Sequence, residues 1–144
     1  MARILTVLFA LLVASVAVAA PVEKRQIGDL TCNIDRLKIV STLAGTTSAV
    51  GKIQGTDPTT ATQVAAAQAG LSSASDGIKT IAAALFTGQT APASARTQVQ
   101  TGLLAAQSAL GNITDPTATA AAATAQSSLA AAIQDGQGVV ANCN

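Results

Sequence analysis

The chain has no histidine, no tryptophan and no tyrosine, and its only aromatics are Phe9 and Phe86. Without histidine, the abundant serine and threonine hydroxyls lack the base that usually makes such a group a nucleophile. So few aromatics leave no stacking platform for bases or sugars. Charge is also sparse, with 8 basic and 7 acidic residues among 144. A polyanion is held through its phosphates by many lysines and arginines, so nucleic acid is not expected as a partner. Glu23 is the only glutamate. Paired carboxylates can perform acid–base chemistry, but Asp29, Asp57 and Asp115 read as helix caps. Asp35, Asp76 and Asp135 read as solvated positions on three different helices. Asp76-Gly77 and Asp135-Gly136 lack the ligand spacing of a calcium loop, and no glycine motif suited to phosphate appears. The expectation is a protein with no catalytic residue, no metal and no cofactor.

What the chain does have begins with its leader. Arg3 precedes an apolar run from Ile4 to about Val13, and Ala17-Val18-Ala19 supplies small residues for a signal peptidase. Residues 1–19 are expected to be a signal peptide. The run is too short for a membrane anchor, and no second apolar span follows it. Glu23-Lys24-Arg25 then stands before Gln26. Either Lys24 and Arg25 end a short propeptide of residues 20–25, resembling a kexin-type processing site, or they are a solvated basic pair. Cleavage at both places leaves residues 26–144 as a single helical domain of 119 residues, with five basic and six acidic side chains.

Within that domain Val64, Leu71, Ile78 and Leu85 recur every seven residues, with Ala67, Ala74 and Ile81 between them. Such a heptad is the seam of a long helix packed on other helices. Asp57-Pro58 supplies a cap and a first helical turn, and Gly88 suits the exit. Ser72 to Gly77 is its weak point, since glycine costs about 1 kcal/mol in a helix. The heptad keeps its phase there, which predicts a bend; a break near Gly77 would make five helices. An earlier helix runs from Asp29 or Thr31 to Val50, with Leu30, Ile34, Leu37 and Ala44 on one face and Leu43, Thr47 and Val50 continuing it. Gly45 is a candidate bend. A third helix begins at Thr90 or Pro92 and ends near Leu110, with Val99, Leu103, Ala106 and Leu110 inward. The fourth follows Asp115-Pro116, with Ala118, Ala122, Ala125, Leu129, Ile133, Gly136 and Val140 inward. Strands have no support, because alternation is absent and alanine abounds. The fold class is therefore all-α, an up-and-down four-helix bundle.

Cys32 and Cys143 stand near opposite ends of the mature chain. An even helix count returns the chain to the end where it began, so the termini can be joined by a Cys32–Cys143 disulfide; two free thiols are the alternative. The same topology puts both Asp-Pro turns at the other end. Thr56-Asp57-Pro58-Thr59 recurs as Thr114-Asp115-Pro116-Thr117, through duplication of a helical hairpin or through convergence in a biased composition. Asn112-Ile113-Thr114 is an N-glycosylation sequon. Ordinary soluble domains are about a quarter charged, so these alanine-, serine- and threonine-rich helix faces tolerate apolar surfaces. Small residues on the fourth helix leave two outcomes. Either the helices approach closely, or an apolar cavity lined by Leu71, Ile78, Ile81, Leu129 and Ile133 remains, suited to an acyl chain.

The leader, the dibasic site, the Ala/Ser/Thr-rich helical domain and the absent catalytic groups together resemble the small secreted proteins of filamentous fungi. Leu30-Thr31-Cys32-Asn33-Ile34 and Val139-Val140-Ala141-Asn142-Cys143 are similar to a group in mushroom-forming fungi. That resemblance implies an effector-like or regulatory protein acting in the extracellular space by binding another protein. In composition and helix pattern the chain also resembles the hydrophobic surface-binding protein A and cell-wall galactomannoprotein family. This second likeness implies a hydrophobic surface, the cell wall or a fatty acid or other lipid as partner.

Overall fold

The computed structural model describes residues 29–143. The expected cut after Ala19 and the Lys24-Arg25 site lie outside the described residues. Four helices follow one another: α1 (Leu30–Gly51), α2 (Pro58–Phe86), α3 (Ala93–Gly111) and α4 (Thr119–Asn142). Among the described residues there is no strand.

Local chemistry sets the helix ends. Asp29 accepts from the backbone N–H of Thr31 at 2.9 Å and of Cys32 at 3.4 Å, satisfying donors that the first turn of α1 leaves unpaired. Asp57 does the same for Thr59 at 3.0 Å, with Pro58 in the first turn of α2. The exit of α2 uses the freedom of glycine. Gly88 takes φ +73°, which lets the N–H of Gln89 reach the Ala84 carbonyl at 2.8 Å and that of Gly88 reach Leu85 at 3.0 Å, a Schellman closure. α2 runs unbroken through Gly77, so the bundle has four helices and not five. Gly77 belongs inside because a Cβ there would stand 2.9 Å from the Ala95 carbonyl oxygen.

The bundle is built as two close pairs, α2 with α3 and α1 with α4. In the first pair the backbones touch. A Cβ on Gly70 would lie 2.6 Å from the Gly102 carbonyl oxygen, and one on Gly102 would lie 2.5 Å from that of Gly70. Ala74 and Ala106, one turn along each helix, are fully buried and complete this seam. The second pair is held by side chains. Cys32 and Cys143 form the disulfide, with Cα atoms 5.1 Å apart. Asn142 Nδ2 donates to Asp35 Oδ2 at 2.7 Å, and Thr42 Oγ1 donates to Asp135 Oδ2 at 3.0 Å. Between the pairs lies the core, where Val50, Leu71, Leu110 and Leu129 are almost wholly buried.

Two expected faces are corrected. On α1, Leu30 and Leu37 are 73% and 72% exposed, and Ile34 and Ala44 also face outward. The buried stripe is Cys32, Asp35, Ile39, Leu43, Thr46 and Val50. Apolar residues lie all round this helix, so their spacing carries no phase; the disulfide and the approach of α4 set it. Thr47 is exposed as well. On α4, Val140 is 64% exposed and Ala132 takes the buried place on that helix. The inward sets expected on α2 and α3 are inward, although Val64, Ile78, Ile81 and Leu85 are only half-buried.

Candidate functional site

The two ends of the bundle differ in chemistry. At the loop end, Asp115 is buried and serves as a shared acceptor. Its Oδ1 receives the N–H of Thr117 at 2.8 Å and the hydroxyl of Thr117 at 2.7 Å. Its Oδ2 receives the backbone N–H groups of Thr56 at 2.8 Å and Asp57 at 3.2 Å. The Thr117 hydroxyl and N–H, followed by the Asp57 and Thr56 amides, hold its carboxyl down to about 2 against the opposing effect of burial. Asp115 is therefore not the cap of α4, whose N-cap residue is Ala118 and which has no side-chain cap. It ties two loops together. The second Asp-Pro repeat had been expected to cap its helix as the first does, and it differs because Gly55 leaves room: a Cβ there would lie 2.7 Å from Asp115 Oδ2. Asn112 is exposed at the same end, just past α3, and its sequon partner Ile113 is buried beneath it.

At the disulfide end the two helix pairs do not close on each other. They leave a partly open cleft of about 420 Å³, within the range of small-molecule sites, about 300–1,000 Å³. One wall comes from α1 and α4, with Ile39, Val40, Gly136, Val139 and Val140. The other comes from α2 and α3, with Ile78, Ile81, Leu85 and Val99. Gly136 puts no side chain into the cleft, and a Cβ there would stand 3.2 Å from Ile39 Cδ1 of the same wall. Among the described residues no aromatic side chain lines the cleft, and two cations do, Arg36 and Arg96. Arg36 Nη1 donates to Asn33 Oδ1 at 3.3 Å. Asp35, in the seam between α1 and α4, is held below the ordinary carboxylate range by the Asn142 amide and then by Lys38.

The cavity expected from the sequence is thus moved along the bundle. Ile78 and Ile81 line the cleft, but Leu71 and Leu129 are core side chains outside its lining, and Ile133 packs half-buried against that core. Large side chains meet where the pairs are tied by loops and fall short where they are not. Cys32 and Cys143 are joined as expected, and the Cys143 side borders the cleft. Asp35, read as solvated, is buried in the α1–α4 seam. Asp76 stays on the surface, 2.9 Å from Lys79.

The arginines are the residues that sequence reasoning missed. A signal for one of them was present. Arg96 lies in the first turn of α3, where the positive end of the helix dipole disfavours a cation, so its place asks for a reason beyond helix stability. Among the described residues no group of three or more His, Cys, Asp or Glu side chains could hold a metal ion, and no helix is long and apolar enough to cross a membrane. No protein-family model, curated protein or solved structure matches this chain.

Proposed function

We propose that this chain is a non-enzymatic extracellular binding protein whose cleft takes a single aliphatic chain ending in an anion, a fatty acid being the simplest. The observation that carries this reading is the lining of the cleft: aliphatic on both walls, with the Arg96 guanidinium among the residues that face it. Aliphatic walls suit a flexible acyl chain, whereas a flat ring would find nothing to stack on. A guanidinium beside such a chain gives its carboxylate a charge-assisted hydrogen bond. Binding at a wax-like or cell-wall surface draws on the same apolar rim, where Val40 and Val140 stand exposed. Export through the leader and glycosylation at Asn112 agree with this setting. An effector-like or regulatory role, the stronger implication of the fungal resemblance, describes where such a binder acts and leaves its cleft chemistry unchanged.

The test is uptake of palmitate by the disulfide-bonded chain, read by native mass spectrometry and by titration. One palmitate per chain is expected. Ile81→Trp fills the cleft and abolishes uptake while leaving the helical spectrum intact, because Ile81 is only half-buried. Arg96→Ala weakens binding by about tenfold to a hundredfold, the loss of one hydrogen bond between charged groups. A chain that takes up no palmitate at micromolar concentration, and carries no lipid from its host, would falsify this reading.

A further inference from the structure

Contacts between elements sort by position along the bundle. Among the described residues, the side-chain hydrogen bonds near the disulfide end stay inside one helix pair: Thr42 to Asp135 and Asn142 to Asp35 both join α1 to α4. The hydrogen bonds that cross from one pair to the other belong to the loop-end half. They are those of Asp115 with Thr56 and Asp57, and that of Gln126 Nε2 with the Leu110 carbonyl at 2.9 Å. Covalent connection sorts the same way. The two segments that lead from pair to pair, residues 52–57 and 112–118, are both at the loop end. At the other end, segment 87–92 closes α2 onto α3 and the disulfide closes α4 onto α1. Neither bridges the cleft. Packing follows suit, from fully buried Leu110 and Val50 near the loops to half-buried Ile81, Leu85 and Val139 at the cleft.

We infer that the two helix pairs are rigid jaws, hinged at the loops that Asp115 clamps, which part at the disulfide end to open the cleft. Each jaw has its own reason to stay rigid: backbone contact at Gly70 and Gly102 in one, and the disulfide with two hydrogen bonds in the other. Parting them at the cleft breaks none of these hydrogen bonds and no covalent link among the described residues, and the side chains it exposes are mostly half in water already, Ile39 and Val99 being the buried ones. Closure at the hinge stays intact, because fully buried Val50 and Leu110 lie on that side. Hinge motions of this type absorb their dihedral change in a few loop residues and run on the microsecond-to-millisecond scale. The motion rests on the acyl-chain reading only for what it admits; the hinge itself follows from the placement of the links.

Distances between pairs of spin labels test it on the disulfide-bonded chain. Leu37→Cys with Ala83→Cys spans the jaws at the cleft end, Ser48→Cys with Ser108→Cys spans them at the loop end, and Leu37→Cys with Gln137→Cys lies within one jaw; all these positions are exposed. The expected result is a broad or two-peaked distribution for the first pair, narrowed by palmitate, and narrow, unmoved distributions for the other two. A first pair as narrow as the others, with and without palmitate, overturns the hinge even if palmitate binds. Three broad distributions overturn it as well, since the jaws are then not rigid. A broad first pair without palmitate uptake leaves the hinge standing and removes the acyl-chain reading.

Discussion

A glycine in a helix is usually a weakness, and its neighbours decide whether that holds here. Gly45 on α1 has nothing within 4 Å of where a Cβ would stand, and Gly102 on α3 has backbone at 2.5 and 2.8 Å. The two should therefore answer the same substitution with opposite signs. Gly45→Ala is expected to stabilise the chain by about 0.4–1 kcal/mol, through the unfolded state and helix propensity. Gly102→Ala forces the α2–α3 backbones apart and should cost about 1–3 kcal/mol. Urea denaturation of the two variants measures both, and equal effects would mean that α2 and α3 do not touch as described. In the sequence, the small residues that allow close helix approach stand out on α4. The closest approach is at Gly70 and Gly102, which single-helix periodicity cannot find, because it depends on which helix lies opposite.

Among the elements, the seam of α2 and the inward stripes of α3 were legible because their apolar residues recur with one phase. α1 was not, since Leu30, Ile34 and Leu37 crowd the face opposite Ile39 and Leu43. The echo between the two Asp-Pro segments was visible, but not that the second aspartate reaches the first segment's backbone. That contact is tertiary and makes a testable difference. Asp115 is held below its ordinary value of 3.8, down to about 2, so it binds a proton more readily in the unfolded chain. Its contribution to stability is then complete above about 3.8 and drains away as the pH falls towards about 2. Asp35 and Asp57 are lowered too and act in the same direction. Melting temperature should fall across that acidic window, and Asp115→Asn should lower the neutral-pH value while flattening the fall. An unchanged acid slope in the variant would take Asp115 out of the clamp.

At the level of the whole molecule, topology was readable from helix count and from two cysteines placed near the ends. The cleft was only half readable: an apolar void was expected, but its position depends on where loops and hydrogen bonds tie the pairs, and spacing along one chain does not encode that. The disulfide spans a sequence separation of 111 residues, and closing so long a loop restrains the unfolded chain by roughly 4–5 kcal/mol on the entropic account. Reduction should lower the melting temperature by on the order of 15 °C for a domain this size, with the helical spectrum retained at low temperature. The pairing of helices also orders the route by which the fold is reached. The α2–α3 hairpin joins neighbours in sequence and can form early, because little chain entropy is lost in bringing them together. α1 cannot: its partner α4 follows both α2 and α3 in the chain. Until α4 is made, then, the stripe of α1 that the fold buries has no mate, and Cys32 waits for a partner 111 residues on, so the step that oxidises Cys32 also marks completion of the fold.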